Sequence, residues 1–438
     1  MNSILKNKTV GILTLGCKVN QYESEAIGEA LEKRGFILKD TSEPCDAYII
    51  NTCTVTGESD RKARQFIRRA ISVNPNAYIV VTGCMAESNK KSISDIPGVD
   101  AIIGNAKKLD AATILCELIE MGRKASPPIE SIPSLASAPF EPMSITKFNR
   151  TRAYVKIEDG CENKCAYCAI PAARGPVRSK APEDVIDEVR LLTQNGCREI
   201  VLTGIETASY GVDIGRYPLS KLLARVDEVA GVGRIRLGSL DPSLMKETFT
   251  DKISDLKNLT PHFHLSMQSG SNKVLALMKR KYNRETALKN IEYLRKKLPE
   301  VQLTTDIIVG FPGESEADFL ETLDFVKKAR FLEIHVFAYS KRKGTLAYDM
   351  KDQVDGPTKH SRSARLSALQ SEIKNEILSG HVGKTVSVLF ETYKKGMASG
   401  HTPSFIEVAA ESQAPLDGEI RNVLIEKIIN GTAVGKIV

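Results

Sequence analysis

Six short, β-prone apolar runs recur between residues 150 and 375, at 153–158, 199–203, 234–238, 262–267, 302–309 and 333–339, and a helical stretch separates each from the next. Strands joined by helices must run parallel, because each helix carries the chain back to the starting edge of the sheet. Six such units predict a partial (β/α)6 barrel over residues 147–375. Residues 1–120 repeat the alternation on a smaller scale, with runs at 9–16, 47–51, 78–83 and 101–104, and predict a doubly wound parallel sheet. The segment 121–146 is rich in Pro, Ser and Ala without periodicity and reads as a linker. Residues 376–438 carry short strands at 385–391, 405–409 and 419–429 and no strong helical pattern, which suits a small β-barrel.

A chain of 438 residues suits two or three such units. Its 61 Lys and Arg against 54 Asp and Glu leave +7, an excess that suits a polyanionic partner without requiring one. The first twenty residues lack the apolar core of a signal peptide, and no apolar run is long enough for a bilayer. A cytoplasmic chain with no membrane contact is expected. Cytosolic thiols are kept reduced, so the nine cysteines point to metal binding or catalysis rather than disulfides.

Cys161, Cys165 and Cys168 form C-x3-C-x2-C within EDGCENKCAYCAIPAARG, just past the first strand of the central unit. Three thiolates on one short loop make a metal site. Structural zinc usually needs a matching second half, and none lies downstream. An iron-sulfur cluster takes four ligands, so three leave one iron open unless a fourth arrives from elsewhere. Farther along, LTGIE at 202–206, HLSMQSG at 264–270 and TDIIVGFPGE at 305–314 end strands of the barrel. Glu206, Gln268 and Asp306 are expected to line the cofactor or substrate cavity there, since polar groups at the carboxyl ends of barrel strands project into the site, and Gly310 to allow close approach of the backbone to the cofactor.

Cys17, Cys53 and Cys84 each follow a strand of the N-terminal sheet, at the edge where ligands of open α/β sheets collect. Three cysteines at equivalent positions suggest a second three-cysteine site. Cys45, Cys116 and Cys197 read as structural. Arg61, Arg64 and Arg68, with Lys62 and Arg69, form a basic stripe on the helix after Cys53, and Lys279 and Arg280 begin another cluster near the open end of the barrel. Both are candidate RNA contacts. Lys341, Arg342 and Lys343 form a third basic group, and Arg178 follows the cysteine loop as a candidate for RNA or a cofactor carboxylate.

The cysteine loop resembles that of the radical S-adenosylmethionine superfamily, C-x3-C-x-aromatic-C, with Tyr167 in the aromatic slot. GCKVNQYESE at 16–25, NTCTVTGESDRKARQ at 51–65, GCMAE at 83–87 and GCENKCAYCAIPAARGPVRS at 160–179 together resemble the methylthiotransferase family over nearly the whole chain. The resemblance implies a [4Fe-4S] cluster on Cys161, Cys165 and Cys168 whose free iron chelates S-adenosylmethionine, with Tyr167 beside the cofactor. It also implies a second [4Fe-4S] cluster on Cys17, Cys53 and Cys84 that supplies sulfur, and a C-terminal RNA-binding barrel of the TRAM type. Two cofactor molecules would then be consumed per product, one methylating sulfur and one generating the radical. The implied partners are a tRNA anticodon loop, an electron donor of the flavodoxin or ferredoxin kind, and a sulfur source. CKVNQYE and LTGIETASYG are most similar to the branch that modifies N6-threonylcarbamoyladenosine at position 37. Glu206, where that branch usually has His, and Ala208, where Gly is commoner, depart from it. The isopentenyladenosine branch and, further off, one acting on a ribosomal protein aspartate are the alternatives.

Overall fold

The computed structural model describes residues 4–122 and 124–438. Strands β1 (Thr9–Thr14), β2 (Ile37–Lys39), β3 (Ala47–Thr52), β4 (Tyr78–Gly83), β5 (Ala101–Ile103) and β6 (Ile129–Ser131) form one parallel sheet in the order β2-β1-β3-β4-β5-β6. Every residue of β3 is buried, as a central strand covered on both faces requires. Ile27 and Leu31 of helix Lys18–Glu32 and Leu115 of helix Asp110–Met121 pack on one face, and Ala63 and Ile67 of helix Gly57–Val73 on the other. The strand order reverses between β1 and β3, which opens a crevice at their carboxyl ends. Two three-residue strands, β2 and β6, extend the sheet beyond the expected four. β6 lies within the segment that reads as a linker, and Met143 and Ile145 of the same segment are buried in the core of the central unit.

The central unit contains β7 (Ala153–Lys156), the short hairpin β8 (Glu158–Asp159) and β9 (Arg178–Ser179), then β10 (Glu199–Thr203), β11 (Arg234–Leu237), β12 (Ser239–Leu240), β13 (His262–Gln268), β14 (Gln302–Val309) and β15 (Glu333–Ala338). All six expected strands are present and parallel. Between β11 and β12 the wall breaks at Gly238, which gives two sheets, β11-β10-β7 and β12-β13-β14-β15. The wall is open between β7 and β15, and the N-terminal unit sits across that opening. Tyr22 and Ala26 of helix Lys18–Glu32 join the barrel core on the β7 side. Beyond β15, Arg342 pairs with Asp60 at 2.7 Å and with Thr54, next to Cys53. Arg342 therefore fastens two units together rather than offering a free charge.

After helix Gly356–Ser379 come β16 (Thr385–Lys394), β17 (Met397–His401), β18 (Glu407–Glu411), β19 (Ile420–Ile429) and β20 (Thr432–Ile437), closed into a five-stranded barrel around Val388, Phe390, Val408 and Ile425. β17 and β20 are additions to the expected strands. This small barrel docks at the amino ends of the central strands. Phe405 stacks between His262 at 4.4 Å and His401 at 4.5 Å, with the Arg236 guanidinium 4.9 Å from its ring. Arg152 pairs with Glu391, and Arg234 donates to His401 O at 3.0 Å. No helix among the described residues is long and apolar enough to cross a membrane.

Candidate active site

Gly160 places the central cysteine loop. Its φ is +90°, and a Cβ there would lie 1.9 Å from Pro176 O, so only glycine lets the chain enter the loop against β9. The Cys161 N–H then donates to Gly175 O at 3.0 Å. Each thiol sulfur of the loop has a donor aimed at it: Asn163 N–H at 3.4 Å from Cys161 Sγ, Ile170 N–H at 3.4 Å from Cys168 Sγ, and the Arg280 guanidinium at 3.1 Å from Cys165 Sγ. Burial pushes the Cys161 thiol up to about 12 and the Cys168 thiol up to about 11. Such thiols give up their protons only to a metal, which replaces the proton as the counter-charge. The donor set fits a cluster whose sulfurs are anionic.

The second set lies at the reversal point of the N-terminal sheet. Cys17 opens helix Lys18–Glu32 and is exposed, Cys53 follows β3, and Cys84 begins helix Cys84–Ser88; the last two are buried. The two loops touch, since a Cβ on Gly16 would lie 2.9 Å from Cys53 Sγ. Gly83, at φ +101°, brings Cys84 in so close that a Cβ would meet Thr52 O at 2.3 Å. Burial, reinforced by Cys84, raises the Cys53 thiol to about 11. This set too fits a metal centre.

One residue joins the two sets, and the sequence analysis did not single it out. Arg174 ends the helix that follows Cys168 and is fully buried. Its Nε donates to Cys84 Sγ at 3.2 Å, and its fork reaches Glu23 at 2.6 Å, Asp159 at 3.2 Å and the side chain of Asn20. Lys156 bridges the same two carboxylates at 2.7 Å each, and Lys108 pairs with Glu23. Burial alone would raise Glu23 and Asp159, but Arg174 and Lys156, joined by Lys108 at Glu23 and by Arg178 at Asp159, outweigh it and hold both below the usual carboxylate range. Arg178 belongs to this network through Asp159 at 3.4 Å, so it faces neither RNA nor solvent.

The strand-end residues divide. Glu206 accepts a hydrogen bond from Asn163 Nδ2 of the cysteine loop at 3.2 Å, and burial, helped by Asp241, raises it to about 7. Gln268 ends β13 in the left-handed region at φ 66°, where the register of β13 shifts. Asp306 faces the barrel lumen between His264 and His335. Gly310, at φ +68°, is covered by the Lys359 side chain of helix Gly356–Ser379, which would lie 2.3 Å from a Cβ there. Tyr167 stands edge-on to Phe311 at 6.5 Å and packs beside Met278 and Tyr339, anchoring the loop from beneath.

Among the basic candidates, Arg61, Arg64 and Arg68 lie on the outer side of helix Gly57–Val73, opposite buried Ala63 and Ile67. Arg61 is held in a fork by Glu58 at 2.6 and 2.8 Å. Lys279 is exposed. Arg280 corrects the expectation of an RNA contact: its side chain is 6% exposed and is spent on Cys165, Asp241 and Ser266 O. A guanidinium among buried acceptors reads in sequence like one on the surface.

A partial (β/α)6 barrel with three cysteines on a loop at the carboxyl end of its first strand defines a radical S-adenosylmethionine enzyme. The chain matches the Radical SAM superfamily over residues 155–326 and the uncharacterized protein family UPF0004 over residues 9–104. It is 40% identical to the threonylcarbamoyladenosine tRNA methylthiotransferase MtaB of Bacillus subtilis over 96% of this chain and 94% of that one. It is 35% identical to the tRNA-2-methylthio-N(6)-dimethylallyladenosine synthase of Thermoanaerobacter pseudethanolicus, over 99% and 93%. The radical S-adenosylmethionine methyltransferase TsrM from Kitasatospora setae shares the fold, with a TM-score of 0.57 at 13% identity over 90% of this chain and 77% of that one. The chain belongs to the radical S-adenosylmethionine methylthiotransferase family, whose cofactors are two [4Fe-4S] clusters and S-adenosylmethionine.

Proposed function

We propose that this protein converts N6-threonylcarbamoyladenosine at position 37 of tRNA to its 2-methylthio derivative. The observation that carries the reading is the pair of three-cysteine sites joined by buried Arg174, on a chain 40% identical to an enzyme named for that nucleoside. The sister activity on isopentenyladenosine is the second reading, supported by a relative 35% identical that is named for it.

On this reading Cys161, Cys165 and Cys168 hold one cluster, and Cys17, Cys53 and Cys84 the other. The bound cofactors supply the radical and the sulfur, chemistry that no side chain offers at an unactivated aromatic C–H. The chain binds, orients and shields. Arg280 and the Asn163 and Ile170 N–H groups orient and stabilise anionic sulfur at the first site, and Arg174 does so at the second. Glu206, held near Cys161 with a carboxyl that titrates close to neutrality, can carry a proton at the cavity wall. Arg61, Arg64, Arg68 and Lys279 meet the phosphates of an anticodon loop, a single-stranded site whose bases can splay out. Residues 1–120 form the sulfur-donating unit, 147–375 the radical unit and 376–438 the RNA-binding appendix. The enzyme works in the cytoplasm, fed by a flavodoxin- or ferredoxin-like donor and a separate sulfur source.

Mass spectrometry of digested tRNA from cells with and without the gene tests the proposal. Selective loss of the methylthio-threonylcarbamoyl nucleoside supports it. Loss of the methylthio-isopentenyl nucleoside would transfer the assignment to the sister activity, and unchanged tRNA would sink both.

A further inference from the structure

The barrel lumen carries a group of polar side chains that neither cysteine site uses. His264 on β13, Asp306 on β14 and His335 on β15 share the inner face, while their neighbours Leu265, Ile307 and Ile334 point outward into the helix-packed core. His264 Nε2 and His335 Nδ1 each lie 3.1 Å from one oxygen of Asp306, and His264 Nδ1 lies 2.9 Å from Thr304 Oγ1. With both Asp306 oxygens engaged, the His335 ring is held through Nδ1, while Nε2 has no hydrogen-bond partner among the described residues and the side chain is 54% exposed. The Asp306 hydrogen bond also raises His335, favouring the cation.

Lys18, beside Cys17, shares this electrostatic neighbourhood with Asp306, His335, Arg236 and Arg152, and it has no ion-pair partner among the described residues. Farther along β15, on the same face as His335, Phe337 is 45% exposed, and it pairs in register with Ile308. A large exposed aromatic ring at the mouth of a polar cavity is a stacking platform for an unpaired base. The three ligand atoms of His264, Asp306 and His335 lie within 4.8 Å of one another, a spacing that would also suit a divalent cation. The cations around them decide against it: Lys18, Arg152, Arg234 and Arg236 outnumber Glu199, Asp306 and Glu391. The lumen therefore favours an anion.

We propose that Lys18 and His335 receive a carboxylate carried on the N6 substituent of the target base while Phe337 stacks on the purine, with Asp306 and His264 acting as positioning residues for His335. This rests on the reading of the protein as a tRNA methylthiotransferase and names what its substrate must carry. A threonylcarbamoyl group supplies a carboxylate, whereas an isopentenyl group would strip water from Lys18 and His335 and return nothing. A site built to bond a polar group rejects an analogue lacking it far more strongly than an apolar pocket rejects an added one.

The test uses the full chain, loaded anaerobically, and three synthetic anticodon stem-loops bearing at position 37 the threonylcarbamoyl acid, its uncharged methyl amide, or the isopentenyl group. Binding is read by fluorescence anisotropy and methylthiolation by mass spectrometry. The acid is expected to bind about tenfold more tightly than the amide, as a charge-assisted contact predicts. Lys18→Met and His335→Phe should each bring that ratio close to one by weakening the acid, and His335→Gln, which keeps a donor, should restore part of it. Equal binding of acid and amide by the unaltered protein, with both methylthiolated, overturns the carboxylate site and leaves the proposed function standing. Methylthiolation of the isopentenyl stem-loop alone overturns the function itself. Variants that weaken acid and amide equally make Lys18 and His335 structural and overturn the inference.

Discussion

Arg174 shows how far one side chain can reach across this protein. It leaves the loop of one cysteine site, donates to a sulfur of the other, and neutralises two carboxylates from different units. Arg174→Met would leave Glu23 and Asp159 to Lys156 and Lys108 but strip buried Asn20 and Cys84 of their donor, a loss of about 1–3 kcal/mol for acceptors left unsatisfied. Urea unfolding should show a loss of that size. Arg174→Lys should recover only part of it, because an ammonium cannot reach Cys84, Asn20 and both acids at once. Glu25 gives a second prediction. Burial raises its carboxyl from an ordinary 4.5 to about 7. Between those values the folded chain holds a proton that the unfolded chain has released, so this group's stabilising effect is complete below about pH 4.5 and fades as pH rises to 7. The urea midpoint of the unaltered protein should fall from pH 5 to pH 8 by more than that of Glu25→Gln. Neither residue was legible in the sequence: the partners of Arg174 lie 90 and 151 positions away, and the burial of Glu25 is made by tertiary packing, which leaves no local mark. Arg280 was misread for the same reason. The six candidate cluster cysteines stood out because Cys161, Cys165 and Cys168 share one short loop and Cys17, Cys53 and Cys84 each sit just past a strand, both local signals.

At the scale of elements, periodicity carried the long strands and a wholly apolar run carried the short β5, and both signals failed at short strands of mixed character. β2 and β6, at three residues each, sit at the two edges of the N-terminal sheet. β17 and β20 are held by closure of the small barrel and follow no alternation conspicuous enough to be read alone. The turn between β4 and helix Cys84–Ser88 has the least room, and Gly83→Ala would press a methyl against Thr52 O. Anaerobically reconstituted Gly83→Ala is expected to keep about half the iron of the unaltered protein, the share of one cluster out of two, and Cys84→Ala the same. A full iron content in both would show that Cys84 holds none. Phe405 locks the small barrel to the base of the large one, between two imidazoles and under a guanidinium. Phe405→Ala should speed amide hydrogen exchange through β16 and β17 while leaving β1 to β5 unchanged.

In the whole molecule, the N-terminal unit closes the open side of the partial barrel and the small barrel closes its base, which leaves the lumen facing the end where both cysteine sites stand. Nothing in a linear pattern reveals that closure, since it depends on Tyr22 packing into the barrel core and Arg342 reaching back to Asp60. Arg342→Ala should loosen that seam and raise proteolytic cutting between the units without lowering the urea midpoint of the small barrel. The buried network at the seam has a further consequence. Arg174, Lys156, Lys108 and Arg178 all pair with Glu23 or Asp159, so four cations meet two carboxylates in direct ion pairs beside Cys84. Iron held by Cys84 would set an anionic sulfur against Arg174 and oppose that excess. Acquiring the metal would then favour the closed fold, and copies lacking iron are expected to open first to a protease, so that marginal stability itself would sort finished enzyme from unfinished.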